Sequence, residues 1–328
     1  MYEKFYGLKE SPFQIVPNPA YLYKSVTHKR ALTHLDYGLT QNLGFILLTG
    51  EIGSGKTTLI KYIQNHFGEN TEGAVIFNTN VSANELLEMV LVAFGLSFES
   101  GYKARALNTL YHFLIDKYAA AKRILLIIDE AQNLQAEALE EIRMLSNLQT
   151  ADQSLLQMML VGQPELIQKL RQPSLQQFAQ RIAVRYHLTG LNREETGEYI
   201  AFRLSKAGGS PDLFEPEAID LIYDLSKGIP RSINVACEAA MVYGLADRAE
   251  VIGKDIVRQI IKDDFGVGLE TRTQDRSAQG IAMPDMEHKN GLRKQIELLQ
   301  QQIYDLNMLL MNRMKAWDEQ RENNKNGQ

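Results

Sequence analysis

One cysteine, Cys237, occurs in 328 residues. That excludes a disulfide framework and any cysteine-rich zinc site. Long apolar runs are missing as well. The longest purely aliphatic stretch, Ile124–Ile128, falls far short of the roughly 20 residues a membrane-spanning helix needs. The opening residues, MYEKFYGLKESPF, lack the apolar core of a signal peptide. The sequence therefore reads as a soluble, cytoplasmic protein that meets a membrane only through partners. Positive charge is not in excess: 35 basic residues face 40 acidic ones, for a net charge of −5. No global field recruits nucleic acid or anionic lipid, although a local basic patch is not excluded by the total. Prolines number nine, and Pro12, Pro17 and Pro19 crowd the start, where they block a long helix. No internal repeat is visible. What remains is an ordinary globular composition, 45% hydrophobic and 23% charged, with enough length for a large core.

Short apolar runs alternate with helical periodicity over the first part of the chain. Phe45–Leu48, Ala74–Phe77, Ile124–Ile128 and Met158–Val161 are strand candidates. Each is apolar at every position or nearly so, as parallel strands covered on both faces must be. Val184, Tyr186 and Leu188 alternate and suggest a fifth strand. Helical patterns fall at 28–42, 57–67, 83–95, 104–121 and 135–149. The alternation predicts an α/β domain with a parallel sheet over residues 1–190, including the aromatic and proline-rich start. Strand signals then cease, and helices at 193–206, 216–226, 231–246 and 254–263 predict a small all-helical domain over 191–265. Residues 266–290 lack periodicity and read as a flexible linker. Beyond them Leu292, Ile296, Leu299, Ile303, Leu306 and Leu310 step by 4, 3, 4, 3 and 4. That is the heptad spacing of a coiled coil, and it assigns an amphipathic helix to 291–317 that either self-associates, binds a partner or packs back on the body. The tail, 318–328, is polar and reads as disordered.

The chemistry is concentrated in two segments. Gly50-Glu-Ile-Gly-Ser-Gly-Lys-Thr57 fits the phosphate-loop pattern, directly after the first strand and opening a helix, which is the context the pattern requires. Gly50, Gly53, Ser54 and Gly55 let the backbone curl around anionic oxygens, with N–H groups pointing inward. Lys56 would reach the β and γ phosphates, Thr57 would ligate magnesium, and Thr58 follows at the helix start. The second segment is Arg123-Ile-Leu-Leu-Ile-Ile-Asp129-Glu130-Ala-Gln132, a buried strand ending in two carboxylates. Two ionised carboxylates at such a place are costly unless a metal ion and a reacting water use them. Asp129 would hold magnesium, in part through water, and Glu130 would polarise the water that attacks the γ-phosphate. Gln163, after the fourth strand, could contact that phosphate or the water. Arg181, before the fifth strand, could reach a neighbouring subunit's phosphate as an arginine finger. Arg231, in Gly228-Ile-Pro-Arg-Ser-Ile-Asn, could report nucleotide state to the helical domain. Asn78 or Asn80 could restrain Glu130.

Together these segments resemble an AAA+ ATPase. More narrowly, the chain is similar to the ExeA/GspA-type secretion ATPases, with their MshM-like and exosortase (XrtA/PEP-CTERM) system-associated members. The residues carrying this are FYGLKESPFQIVPNPAYLYKSVTHKRALTHLDYGL, GEIGSGKTT, LLIIDEAQNL, LEEIRMLSNLQT, VGQPELIQKL, QRIAVRYHLTGL and GIPRSINVAC, spread over residues 1–265. The resemblance implies a P-loop sheet of order 5-1-4-3-2 with helices on both faces, and ATP and magnesium held between the α/β domain and a helical lid. It implies hydrolysis that depends on a homo-oligomer. Carried onto matching positions, it gives the phosphate grip to Lys56 and Thr57, metal and water to Asp129 and Glu130, sensing to Gln163 and Arg231, and the finger to Arg181, with Arg185 competing. The segment Pro12–Tyr23 would lie near the adenine.

Members of this group commonly continue into a membrane helix and a periplasmic peptidoglycan-binding region. Here a heptad helix stands instead, which points to the short exosortase- or pilus-associated type. The expected function is magnesium-dependent ATP hydrolysis that drives or regulates assembly of a secretion, pilus or exopolysaccharide system, with that system's proteins as partners. The alternative is a DNA-associated ATPase regulator like the TniB transposition helpers. Nine basic against nine acidic residues over 266–328, and the acidic total, argue against a nucleic-acid partner.

Overall fold

The computed structural model describes residues 2–263, apart from 42, 67, 69, 78, 99–100 and 151–152. The expected linker, heptad helix and tail lie outside the described residues. Helix α1 (Tyr2–Phe5), a 3-10 turn (Pro19–Tyr21) and α2 (Val26–Thr40) come first. Five strands follow: β1 (Phe45–Gly50), β2 (Thr71–Ile76), β3 (Arg123–Ile128), β4 (Gln157–Gly162) and β5 (Ile182–Leu188). Between them run α3 (Lys56–Gln64), α4 (Ala83–Ala93), α5 (Lys103–Ala119), a 3-10 turn (Ala131–Asn133), α6 (Ala136–Leu145), α7 (Glu165–Leu170), a second such turn (Pro173–Leu175) and α8 (Gln176–Gln180). After β5 the described chain is helical: α9 (Arg193–Lys206), α10 (Pro216–Ser226), α11 (Pro230–Ala246) and α12 (Lys254–Lys262).

The strands form one sheet of order β2-β3-β4-β1-β5, with every pairing parallel. This is the expected order read from the opposite edge. Alternate strand residues enter different cores, which is why the runs are apolar throughout. Phe45 and Leu47 join Leu126, Leu160 and the inner faces of α4, α5 and α6. Ile46 and Leu48 join Ile127, Val161, Leu59 and Ile60 of α3, and Ala31 and Leu35 of α2. The edge strands depart from the simple pattern. β2 begins at Thr71, not Ala74, because Thr71-Glu72-Gly73 pairs in register with Arg123-Ile124-Leu125. Its polar start is tolerated at an edge, where Glu72 reaches Lys117 and Lys122 in water. β5, at the other edge, buries Ile182, Val184 and Leu188 while Ala183, Arg185 and His187 stay exposed.

A third core binds the last helices to the start of the chain. Ile200, Leu204, Ile222, Ile233, Met241 and Val257 pack with Tyr2, Leu8 and Phe13. Phe13 is 1% exposed, and burying a ring of that size contributes about 2 kcal/mol. Lys9 N–H donates to the Ala207 carbonyl at 2.8 Å. Residues 2–13 thus belong to the helical body. Residues 14–25 then cross to α2, which lies against β5.

Candidate functional site

The C-terminal ends of the strands, where loops turn back toward helices, are the open end of a parallel sheet. β1 ends at Gly50, and residues 51–55 turn into α3 with Gly55 as its N-cap. No side chain caps α3, so its first N–H groups are free to face an anion. Gly53 has a φ of +79°, a conformation that suits glycine. A Cβ there would also lie 2.4 Å from the Arg231 Cβ. Arg231 starts α11 and donates its backbone N–H to the Gly53 carbonyl at 3.2 Å. The helical body therefore sits directly on the loop. Lys56 is 6% exposed, and its ammonium donates to the carbonyls of Gly50 (2.9 Å) and Glu51 (3.0 Å). Burial lowers its pKa, while the charges of Glu130 and Asp129 oppose that shift. Ser54 is wholly buried, its hydroxyl has no hydrogen-bond partner among the described residues, and it is not among the residues that line the cavity.

β3 delivers the carboxylates. Asp129 is 2% exposed. Its Oδ2 accepts from Thr57 Oγ1 at 3.1 Å, and its Oδ1 from the Glu130 N–H at 2.9 Å. Burial raises the Asp129 pKa, and these hydrogen bonds resist the rise. Glu130 adopts the left-handed conformation, φ +53°, which non-glycine residues seldom take outside constrained sites. Thr79 Oγ1, from beyond β2, fixes its carbonyl at 2.7 Å. Glu130 Oε2 accepts from the side-chain amides of Gln132 and, at 3.2 Å, Gln163. The Gln163 backbone N–H donates to Gln132 Oε1 at 3.0 Å.

Lys56, Thr57, Glu130 and Gln163 line one cavity of about 440 Å³ together with residues from three further places, within the roughly 300–1,000 Å³ of small-molecule sites. Residues 14–18 and 21–23 form one wall, where Ile15 and Val16 present exposed apolar side chains. His28 comes from α2, with Nδ1 2.8 Å from Ser25 Oγ and Nε2 close to Gly55. Tyr199, Arg203, Pro230 and Asn234 come from the helical body. Arg203 is nearly buried, its Nη1 donating to the Tyr199 hydroxyl at 2.7 Å and its guanidinium lying 4.9 Å from the Tyr21 ring centre.

The structure gathers Gly53, Gly55, Lys56, Thr57, Thr58, Glu130, Gln163 and Arg231 on the cavity wall, with Asp129 just behind Thr57. It does not bring Arg181 or Arg185 there. Arg181 is exposed and donates to Ser146 Oγ at 2.6 Å at the end of α6. Arg185 donates to the Ala179 carbonyl at 2.7 Å on the outer face of β5. Asn78 lies outside the described residues, and the described bonds to the Glu130 carboxylate come from glutamines. Sequence reasoning missed His28, Arg203 and the role of Gln132. The last stood in plain view two residues after Glu130, but its partner is set by the fold.

The donors fit magnesium and a nucleotide. Thr57 Oγ1 and Asp129 offer hard oxygen ligands side by side. Among the described residues no group of three or more His, Cys, Asp or Glu could hold a metal on its own. Two protein oxygens completed by phosphate oxygens and water are the usual arrangement for magnesium.

A family model described as an AAA domain matches residues 40–170. General secretion pathway protein A of Aeromonas hydrophila is 44% identical over 247 residues, which cover 75% of this chain and 45% of that relative. The chain thus spans less than half the length of the curated relative it matches. Among solved structures, the Aeropyrum pernix ORC2 protein in ADPNP-ADP complexes aligns with a TM-score of 0.56 at 19% identity, over 80% of this chain and 73% of that one. Cdc6p of Pyrobaculum aerophilum gives 0.60 at 16%, over 77% and 70%. At those identities the likeness is one of fold.

Proposed function

This chain belongs to the AAA+ ATPases of the ExeA/GspA-like type, and from that premise we propose that the cavity binds ATP and hydrolyses it with magnesium. The supporting observation is the Thr57–Asp129 contact of 3.1 Å, which brings the phosphate loop to the carboxylate strand with Lys56 and Glu130 in the same site. Lys56 binds the β and γ phosphates, helped by the free start of α3. Thr57 and Asp129 hold magnesium, which when bound offsets negative charge on the phosphate oxygens. Glu130 accepts a proton from water as its oxygen attacks the γ-phosphorus; the bond from that phosphorus to the β,γ-bridging oxygen breaks, leaving ADP and phosphate. Gln163 and Arg231 orient the γ-phosphate. Ile15 and Val16 supply an apolar face for the base.

Glu130→Gln keeps the shape and removes the base. ATP affinity is expected to stay within about twofold while phosphate release falls roughly 100-fold or more, given what a general base contributes. Lys56→Ala should lose ATP binding. A Glu130→Gln protein with normal turnover, or a Lys56→Ala protein with normal affinity, would overturn the reading.

The work that hydrolysis drives belongs to an envelope system. The relative's name ties it to general secretion, and assembly or regulation of a secretion, pilus or exopolysaccharide complex by a homo-oligomer of this chain is the finer reading. The Glu130→Gln protein held in ATP should capture components of such a complex from native cells. Recovery of DNA in their place would favour the DNA-associated reading.

A further inference from the structure

We propose that Gln132 is a positioning residue for hydrolysis: its side-chain amide locks Glu130 to Gln163 so that one carboxylate oxygen is anchored and the other is left to take the proton. The proposal rests on Glu130 acting as the base, as set out above.

The three side chains close a ring. Gln132 donates from Nε2 to Glu130 Oε2. Gln132 Oε1 accepts the Gln163 backbone N–H at 3.0 Å. Gln163 Nε2 returns to the same Glu130 Oε2 at 3.2 Å. The amide of Gln132 can sit only one way round. A backbone N–H can only donate, so the amide oxygen must face Gln163; an ionised carboxylate can only accept, so the amide nitrogen must face Glu130. The ring is therefore a joint between the ends of β3 and β4, and its direction follows from the chemistry of its members.

The surroundings hold that joint still. Lys169, on α7, donates from Nζ to the carbonyls of Gln132 and Leu134, both at 2.6 Å, and so clamps the turn that carries Gln132. At Gly162 a Cβ would lie 2.8 Å from Gln132 Oε1; glycine before Gln163 leaves the space the amide occupies. Glu130 itself is left-handed at φ +53°, and its carbonyl is held by Thr79 Oγ1. With the backbone fixed, the remaining freedom lies in the torsions of the Glu130 side chain, and the two amides restrain them. Both donate to Oε2. Oε1 accepts from no described residue, so it is the oxygen available to a water.

Positioning and plain packing differ in what they demand of residue 132. Packing needs only bulk, and methionine of similar length would serve. Positioning needs a donor toward Glu130. Gln132→Met should lower kcat about 10- to 100-fold, the scale of loss when a reacting group is misplaced, with ATP Kd within about twofold and Tm nearly unchanged. Gln132→Leu likewise lacks a donor toward Glu130 and should show the same split, with kcat lowered to the same degree and ATP Kd within about twofold. Turnover, ATP affinity by calorimetry and thermal melting are read on the full chain. Normal kcat in Gln132→Met, or a loss that falls on ATP Kd and leaves kcat unchanged, overturns the positioning role; should the methionine variant prove unstable, the split between kcat and Kd in Gln132→Leu decides. The two readings fail differently. Turnover surviving in Glu130→Gln removes the base itself, whereas a dead Glu130→Gln beside a fully active Gln132→Met removes only the joint.

Discussion

His28 shows how one side chain can couple folding to the site. Burial pushes its pKa from 6.5 down to about 4, against the pull of Glu195. The folded protein therefore keeps the ring neutral where the unfolded chain would charge it. Its contribution is full above pH 6.5 and is lost as pH falls toward 4, a difference of roughly 3 kcal/mol for a shift of this size. Melting curves taken between pH 7 and 4 should fall more steeply for the natural protein than for His28→Gln. Parallel curves would mean the ring titrates normally. His28 was also illegible in advance. A histidine in a helical pattern, SVTHKRAL, gives no sign that its ring will stand beside Gly55, twenty-seven positions on in the chain. Lys56 and Thr57 were legible because their chemistry is set by a contiguous stretch, and Asp129 and Glu130 because a buried strand must account for any charge at its end. Gln132 lies between these cases: its position was in view, but the bonds that give it a role run to β4.

At the scale of elements, the sheet was readable and the joints were not. Apolar runs fixed the four inner and edge strands to within a few residues, and failed only where Thr71-Glu72-Gly73 hides a strand start behind polar residues. The stretch from Gln163 to Arg181 resolves into short pieces, α7, a 3-10 turn and α8, too brief to carry periodicity. α6 stops at Leu145, and a bridge between Gln149 and Ser154 follows in place of further helix. The least visible device is Glu195. Its Oε1 accepts the Val26 N–H at 2.8 Å at the start of α2, and its Oε2 the Asn192 N–H at 3.2 Å at the start of α9. It thus caps two helices, one on the sheet and one in the helical body. Glu195→Ala should cost about 1–2 kcal/mol, the scale of a lost cap, and a melting experiment reads it. It should also weaken ATP binding, because residues 14–23 beside it form a wall of the cavity; unchanged affinity would make Glu195 a cap and nothing more.

At the scale of the molecule, residues 2–13 bury Tyr2, Leu8 and Phe13 among α9 to α12 before the chain crosses to the sheet. The pocket is therefore bounded by parts distant in sequence, and no linear division of the chain isolates it. Arg181 has the opposite placement. It lies outside the cavity, exposed, on Ser146, where it serves ATP only if a neighbouring subunit presents its own. On the proposed oligomer, Arg181→Ala should bind ATP normally and hydrolyse it slowly. Mixing it with Glu130→Gln should restore part of the activity, since one variant supplies the base and the other the arginine. No recovery on mixing would leave Arg181 with its local bond to α6.

The contact between Gly53 and Arg231 carries a consequence for what the loop can accept. The backbone angle at residue 53 disfavours a side chain on its own account, and the 2.4 Å encounter with the Arg231 Cβ adds a second, independent penalty. An alanine there would act as a wedge between the phosphate loop and α11. The missing methyl group is thus part of what lets two distant stretches of the chain share one wall of the pocket.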